Sequence, residues 1–170
     1  NTQRKAYWLG FIYADGCIDK EHKTLSITIH KKDEEILNNF KKDTKYTGPI
    51  KIRNNNRIDL SIYSVDFIKH LTKKGVLDNK TFVIRMPNIK PNLLNHFIRG
   101  YWDGDGYINR QCILTSGSKL FIKDLKNVFE TIFPTNVVYT KENERSSRLT
   151  LNKVNKEIVH WIYKDSKIYL

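Results

Sequence analysis

Regular alternation of apolar and polar residues predicts several antiparallel strands with one buried face. In residues 25–30, 57–63 and 148–152 every second side chain is apolar. Because side chains two positions apart lie on the same face of a strand, each segment predicts a half-buried strand. Turn residues between such segments indicate hairpins. The predicted strand pairs are 17–30, 50–63, 107–116 and 137–152.

Helices are predicted where apolar residues recur three and four positions apart. Acidic residues open one helix at Asp33–Glu35, where the helix dipole favours negative charge. Gly48–Pro49 is expected to end that helix, and Pro134 is expected to end a later one. The predicted helices are 3–15, 33–47, 64–74, a helix through 98–105, 120–133 and 153–164.

Both halves of the chain therefore predict the order αββαββα, an α+β fold with two pseudo-symmetric halves. We expect an N-terminal half at 1–78, a C-terminal half at 94–170 and a linker at 79–93. Pro87 and Pro91 keep the linker from being helical. Its apolar residues indicate a segment packed against the body rather than a free tether. These residues are Val83, Ile84, Met86 and Ile89.

A short sequence repeat supports the two-half arrangement. Residues 8–16 (WLGFIYADG) and 98–106 (IRGYWDGDG) place a small residue, Asp and Gly after a bulky run, and their last aspartates lie 105 − 15 = 90 positions apart. Such a period implies two copies of one unit related by a pseudo-twofold axis. Small residues four apart form a flat strip on each motif helix, so the two helices are expected to cross there. These residues are Gly10 and Ala14 in the first motif, and Gly100 and Gly104 in the second.

Each motif helix is predicted to end at an aspartate, Asp15 or Asp105. The following glycine, Gly16 or Gly106, is expected to adopt the left-handed conformation. The C-terminal end of a helix dipole is negative and disfavours a carboxylate. Two such carboxylates close together need a cation, and their hard oxygen atoms suit a divalent metal such as Mg²⁺.

These residues resemble the LAGLIDADG homing endonucleases, in the monomeric form with two motifs, and the resemblance runs across nearly the whole chain. It implies central motif helices, antiparallel sheets that form a DNA-binding saddle, and metal binding by the last acid of each motif. The implied catalytic and metal-binding residues are Asp15 and Asp105, with two or more Mg²⁺ ions. Tyr13 departs from the pattern, since the motif more often has an acid there, whereas Asp103 retains that acid in the second copy.

The family also places a basic residue near each active centre. Lys80 matches this position in the first half and is a third candidate catalytic residue. An ordinary surface lysine is the alternative interpretation. The corresponding residue of the second half is expected at Lys167 or beyond Leu170.

Composition agrees with a nucleic-acid partner. The chain has 30 Lys and Arg against 18 Asp and Glu, a net charge of +12. Neutralisation of phosphates by such charge supplies most non-specific affinity for DNA. A generic basic protein from a low-GC genome is the alternative explanation. Hydrophobic residues make up 39% of the chain, which is enough for a folded core and argues against disorder.

The polar faces of the sheets are the predicted surface for double-stranded DNA. A twisted β-ribbon fits the major groove, where Arg, Lys and Asn contact base edges. An ordinary solvated sheet face is the alternative. The alternation commits Ile50, Ile52, Ile58, Leu60 and Leu149 to the core. The predicted DNA contacts are Ser26, Thr28, His30, Lys51, Arg53, Arg57, Asp59, Ser61, Arg110, Arg148, Thr150 and Asn152.

Other kinds of site have weaker support. Cys17 and Cys112 have no CxxC spacing and predict packed thiols rather than a zinc site or a disulfide. The histidines are scattered, and His96 is expected to serve packing or capping. The motif segments are too short for a membrane span and contain charge. We therefore expect a soluble monomer without a signal peptide, acting inside the bacterium, phage-infected cell or organelle that holds its target DNA.

Two functions remain open. The first is a site-specific endonuclease that makes a metal-dependent double-strand break, with a short staggered end, at a long recognition site. The alternative is a catalytically silent module of the same fold that binds nucleic acid, such as an intron maturase or a transcription factor. Degenerate relatives typically lose one acid, and both are present here. An endonuclease within an intein is a variant of the first function, although no splicing-domain signature flanks the motifs.

Overall fold

A computed structural model describes residues 2–54, 56–78, 82–108, 111–134, 138–143, 146–151, 156–164 and 166. Within them, each half has the predicted order of helices and strands. The first half comprises α1 (Gln3–Asp15), β1 (Gly16–Asp19), β2 (Thr24–His30), α2 (Glu34–Thr44), β3 (Lys51–Asn54), β4 (Arg57–Tyr63) and α3 (Val65–Lys73). The second comprises α4 (Leu94–Asp105), β5 (Gly106–Ile108), β6 (Cys112–Ser116), α5 (Lys119–Ile132), β7 (Val138–Glu142), β8 (Ser147–Leu151) and α6 (Lys156–Tyr163).

Each half contains one four-stranded antiparallel sheet. The strand orders are β1-β2-β4-β3 and β5-β6-β8-β7, so the same topology occurs twice. The registers also correspond, since Gly16 lies opposite Ile27 and Gly106 lies opposite Leu114. Residues of the two sheets can therefore be compared position by position. The predicted α+β fold with two pseudo-symmetric halves is confirmed.

One face of each sheet contributes to a core that the helices cover. Ile27 and Leu60 of the first sheet are fully buried, as are Leu114 and Leu149 of the second. Helix α5 packs on β6, β7 and β8. In the first half, Trp8 of α1 contacts Phe40 of α2 edge to face, with the ring centroids 5.0 Å apart. Burial of one such apolar side chain contributes about 1.5–3 kcal/mol.

Two details of the predicted hairpins and helices are wrong. Ile52 is 69% exposed rather than in the core. Strand β3 is the edge of its sheet and all four of its residues are exposed, so alternation alone does not bury them. Helix α2 ends at Thr44, before Gly48–Pro49, because Lys45 adopts the left-handed conformation (φ 57°) and its N–H donates to carbonyls of the last turn.

The segment before α4 packs against the second half. Ile84 is buried, and Met86 and Ile89 are half-buried, whereas Val83 is exposed against the prediction. The Arg85 guanidinium donates from Nε and Nη2 to the two carboxylate oxygens of Asp124 on α5, at 2.7 and 2.8 Å. This bidentate pair fastens the segment to α5.

Candidate functional site

The two motif helices, α1 and α4, cross with their backbones in contact. A Cβ atom on Gly10 would overlap the carbonyl oxygen of Phe97, and one on Gly100 would overlap the carbonyl oxygen of Tyr7. Only glycine therefore permits this separation at the two positions. The contact is reciprocal, as the pseudo-twofold axis requires.

The crossing brings the acidic end of α1 against the last turn of α4. A Cβ atom on Gly104 would overlap the Cβ of Ala14 and would lie 2.9 Å from a carboxylate oxygen of Asp15. Asp15 is thus next to Gly104, the residue that precedes Asp105 on the facing helix. The hydroxyl of Tyr101 lies close to both acids: burial raises its pKa well above the ordinary value, and the charges of Asp105 and Asp15 raise it further. The charges of both carboxylates therefore act on one buried phenol.

The acids also lie where each motif helix passes into a sheet. Gly16 and Gly106 are extended, with φ of −77° and −93°, and not left-handed as predicted. Glycine is needed there for a different reason, because a Cβ on Gly16 would lie 2.7 Å from the carbonyl oxygen of Ile12. These glycines begin β1 and β5, which are the edge strands. The acid pair consequently lies between the starting points of the two sheets.

Tyr101 is a site residue that the sequence analysis missed. Its hydroxyl donates to the carbonyl oxygen of Thr115 on β6 at 2.6 Å and also contacts the Asp105 carboxylate. The sequence could have indicated Tyr101 through its position four residues before Asp105, because this spacing places both side chains on one helix face. The residue 90 positions earlier is Phe11, so the first acid has no equivalent phenol.

The position at which the two motifs differ is occupied by residues that fasten the helices. The Tyr13 hydroxyl donates to the carbonyl oxygen of Lys74, just after α3, at 2.7 Å. Asp103 accepts hydrogen bonds from the hydroxyls of Tyr7 on α1 at 2.9 Å and Tyr163 on α6 at 2.8 Å. Tyr13 therefore attaches the first motif helix to the segment after α3, whereas Asp103 attaches the second motif helix to α1 and α6.

The outer faces of the two sheets carry those predicted DNA contacts that lie in the described part of the chain. Arg110 and Asn152 lie outside it, as does the candidate catalytic residue Lys80. Of the others, the hydroxyl residues Ser26, Thr28, Ser61 and Thr150 are half-buried. The side chains exposed to solvent are His30, Lys51, Arg53, Arg57 and Arg148.

Asp59 differs from the prediction because it is 2% exposed. Strand β4 lies between β2 and β3, so the Asp59 carboxylate is covered by neighbours on both sides. It accepts hydrogen bonds from Thr28 Oγ1 and Ser61 Oγ, each at 2.8 Å, and lies 3.5 Å from the Arg53 guanidinium. Burial opposes ionisation, but these hydrogen bonds and the Arg53 charge outweigh it and hold the pKa of Asp59 below its ordinary value. Asp59 is thus a buried acceptor rather than an exposed contact.

Equivalent positions of the two sheets carry opposite charges. Asp59 on β4 lies opposite Lys51 on β3, and at the same register Arg148 on β8 lies opposite Lys141 on β7. Each central residue also has a threonine on its other side. The sequence analysis missed Lys141, because the predicted hairpin at 137–152 does not give the register that sets Lys141 opposite Arg148.

The acid pair is chemically suited to a hard divalent ion. No group of three or more His, Cys, Asp or Glu side chains that could hold a metal occurs in the ranges described above. Such a cage is not required for Mg²⁺, which keeps several waters and takes one or two carboxylates. The two acids at the helix crossing meet this requirement.

The remaining candidate residues serve other purposes. His96 is buried, which agrees with a packing role. Cys112 is buried, but Cys17 is exposed and the prediction that it packs is wrong. Cys17 lies opposite Ser26, on the outer face of the sheet. None of the described helices is long and apolar enough to cross a membrane.

Comparison with known proteins finds a family model that matches the second half of the chain and two longer proteins that each contain a similar segment. Residues 92–165 match the family model of the LAGLIDADG-like domain. The chain is 29% identical over 132 residues to the replication factor C small subunit of Methanocaldococcus jannaschii, covering 73% of this chain and 7% of that protein. It is 26% identical over 167 residues to the probable translation initiation factor IF-2 of the same organism, covering 86% and 13%. The chain thus spans only a small part of these relatives.

Solved structures share the fold across nearly the whole chain. The LAGLIDADG meganuclease I-AabMI bound to uncleaved DNA has a TM-score of 0.61 at 16% identity, covering 95% of this chain and 83% of that chain. I-SmaMI, bound to uncleaved DNA in the presence of calcium ions, has a TM-score of 0.61 at 14% identity, covering 96% and 84%. Full-length DUF199/WhiA from Thermatoga maritima has a TM-score of 0.67 at 14% identity, covering 94% and 53%. At these identities the similarity establishes the fold.

Proposed function

We propose that this chain is a site-specific DNA endonuclease. It has the LAGLIDADG fold, and its second half matches the family model of the LAGLIDADG-like domain. The proposed reaction hydrolyses one phosphodiester bond in each strand of double-stranded DNA, leaving a short staggered end within a long recognition site. The observation that carries the proposal is the convergence of Asp15 and Asp105 at the crossing of α1 and α4, between the two sheets.

Asp15 and Asp105 are the proposed metal ligands, one from each half. Two or more Mg²⁺ ions, when bound there, would lower the pKa of an attacking water and stabilise the leaving oxygen. The chain itself holds the two carboxylates at a fixed separation, because the helix backbones are in contact at Gly10 and Gly100. The buried hydroxyl of Tyr101, which donates to the carbonyl oxygen of Thr115, also contacts Asp105. The calcium in the I-SmaMI structure is consistent with a divalent ion in this fold.

The sheets provide the proposed DNA-binding saddle. Exposed cations on the outer faces include Lys51, Arg53 and Arg57 in the first sheet and Lys141 and Arg148 in the second. Because the acid pair lies between the starting points of the sheets, a duplex lying across both faces passes over the acids. The net charge of +12 supports this binding through phosphate neutralisation. We propose that a single chain supplies both faces, with halves at 1–78 and 94–170 and a packed linker at 79–93.

A catalytically silent nucleic-acid-binding module is the second candidate. It is favoured by the asymmetry between the motifs: Tyr13 stands where the motif more often has an acid, and Phe11 stands where the second motif has Tyr101. The two curated relatives have unrelated names, yet each contains a segment similar to this chain. The unit is therefore of a kind carried inside larger proteins, as an endonuclease within an intein would be.

Cleavage and binding measured on the same preparations separate the two candidates. Sequences bound by the wild-type chain are first selected from a randomised DNA library and then incubated with Mg²⁺. We expect double-strand cleavage by the wild type, and loss of that cleavage with retained binding in the Asp15→Asn and Asp105→Asn variants. Removal of a carboxylate weakens metal binding but does not weaken attraction to phosphate.

Asp66→Asn is the matched control, because it makes the same charge change at an exposed residue of α3. It is expected to cut like the wild type. Undiminished cutting by either motif variant would contradict the catalytic assignment. Tight binding by the wild type without any cutting would favour the silent module.

A further inference from the structure

The side chains around Asp59 form a restrained site on the outer face of the first sheet. Both carboxylate oxygens of Asp59 are occupied, one by Thr28 Oγ1 and the other by Ser61 Oγ, at 2.8 Å each. The second oxygen also lies 3.5 Å from Nη2 of Arg53. The Arg53 side chain is 60% exposed and that of Asp59 is 3% exposed, so the arginine stays accessible to solvent while it pairs with a buried acid.

The backbone of β3 directs Arg53 toward this acid. The register between β3 and β4 shifts between Ile52 and Asn54, which places Arg53 at a β-bulge. Bulges turn a side chain away from the direction that regular alternation gives it. Asn54 pairs with Arg57 on β4, and Asp59 lies two positions further along that strand. From the bulge, the Arg53 side chain reaches Asp59.

Stability alone does not explain an acid at this position. An ion pair whose arginine is mostly exposed contributes little to folding, and a negative charge on a face that binds phosphate weakens binding. The second sheet shows the alternative, since Arg148 occupies the same register and has no ion pair among the described residues. At this register the first sheet therefore has Lys51 opposite an acid that pairs with Arg53, whereas the second has two directly opposed cations, Lys141 and Arg148.

We propose that Asp59 is a positioning residue that orients Arg53 for contact with one guanine in the half of the DNA target bound by the first sheet. An oriented guanidinium donates two parallel hydrogen bonds to guanine O6 and N7 in the major groove. At the equivalent position of the second sheet, the Lys141 and Arg148 pair contacts phosphate without base preference. This inference rests on the proposed DNA binding and concerns base choice within it.

A double-mutant cycle on the full chain tests the proposal. The wild type, Asp59→Asn, Arg53→Ala and the double variant are each used to select bound sequences from a randomised DNA library without Mg²⁺. We expect the wild type to require guanine at one position, and each single variant to lose that preference at the same position by about tenfold or more. The double variant is expected to lose no more than Arg53→Ala alone, since both changes remove one contact.

Affinity for non-cognate DNA distinguishes positioning from a structural role. Asp59→Asn removes a negative charge and is expected to bind non-cognate DNA at least as tightly as the wild type, whereas Arg53→Ala binds it more weakly. Asp66→Asn makes the same charge change at an exposed residue of α3, away from the outer face of the sheet, and is expected to retain the guanine preference. If thermal unfolding shows that Asp59→Asn does not fold, Arg53→Lys replaces it. Lysine keeps the charge without the bidentate fork, so binding remains and the preference is lost.

Each outcome has a defined meaning. An unchanged target profile in Asp59→Asn, or independent losses that add in the double variant, would overturn the role of Asp59 while leaving DNA binding intact. Loss of the guanine preference in Arg148→Ala but not in Arg53→Ala would assign the contact to the other sheet and overturn it as well. A wild-type chain that selects no DNA at all would contradict the proposed function itself.

Discussion

Gly10 and Gly100 set the distance between the two motif helices. Glycine inside a helix costs about 0.5–1 kcal/mol relative to alanine because of its backbone freedom. Here the two glycines allow direct contact of the helix backbones, because a Cβ at either position would overlap a carbonyl oxygen of the facing helix. The close approach is what brings Asp15 and Asp105 together.

We predict that Gly100→Ala destabilises the chain by about 1–3 kcal/mol or more, despite the better helix propensity of alanine. The added methyl overlaps backbone atoms, which cannot move without separating the helices. Gly104→Ala is the matched comparison, because its methyl overlaps the Cβ of Ala14 less deeply than a methyl on Gly100 overlaps a carbonyl oxygen, and it lies near the ends of the two helices, where they can separate more easily. It is expected to destabilise less. Urea unfolding measures both variants, and a Gly100→Ala chain as stable as the wild type would mean that the helices do not touch.

The helix pair is chemically different at its two pseudo-symmetric contacts. Tyr7 on α1 donates to Asp103 on α4, whereas the residues 90 positions away, Phe97 and Tyr13, form an edge-to-face ring contact at 5.3 Å. Two copies of the second half would place Phe97 against the Asp103 carboxylate and leave it without that donor. The hydrogen bond from Tyr163 within the same half would remain. A hydrogen bond to a charged group contributes about 1.5–3 kcal/mol, so loss of the Tyr7 donor disfavours two copies of the second half relative to the pairing of unlike halves.

At the sheet surface, Lys141 and Arg148 are like charges directly opposite each other on neighbouring strands. Such pairs destabilise a sheet, and a phosphate between them relieves the repulsion. We predict that Lys141→Ala keeps or raises stability without DNA, by up to about 1 kcal/mol. The same variant should bind DNA more weakly, with a salt slope lower by about one.

Unfolding without DNA and the salt dependence of DNA binding are the two measurements for this pair. Lys42→Ala on α2 is the control, since Lys42 is exposed on a helix rather than on a strand. It is expected to change neither measurement. A Lys141→Ala chain that is less stable and binds DNA normally would show that the pair is not a phosphate contact.

For the whole molecule, buried tyrosines link stability to alkaline pH. Burial raises the pKa of Tyr7 and Tyr13 well above the ordinary value of 10, and the Asp103 charge raises that of Tyr7 further. These phenols stay protonated in the folded chain, whereas the unfolded chain ionises them above pH 10. The folded state then binds more protons, so its stability is intact below pH 10 and falls as the pH rises.

We predict cooperative unfolding above about pH 10, with each buried phenol adding about 1.4 kcal/mol per pH unit to the slope. Tyr13→Phe should make the slope shallower, although it also loses the hydrogen bond to Lys74. Tyr63→Phe is the control, because Tyr63 is 71% exposed. Circular dichroism together with tyrosinate absorbance follows the transition. Gradual ionisation of all tyrosines near pH 10 in a chain that remains folded would contradict this coupling.

Local patterns in the sequence were sufficient for the elements and their order. Periods of two and of three to four residues depend on neighbours within one strand or helix, so the αββαββα order of each half followed from them. The repeat of 90 residues and the small residues four apart also predicted a crossed helix pair with Asp15 and Asp105 at its ends. The type and order of the elements are thus local properties, whereas the helix crossing was inferred from the repeat of the motif.

Only the tertiary structure decided which side chains lie together across strands and halves. The exposure of Ile52 follows from the place of β3 at a sheet edge, and the burial of Asp59 follows from its place between two strands. The extended Gly16, the phenol of Tyr101 near both acids, and the pairing of Lys141 with Arg148 likewise depend on particular contacts. Strand order, register and helix separation arise when segments far apart in the chain pack together, and no local period encodes them.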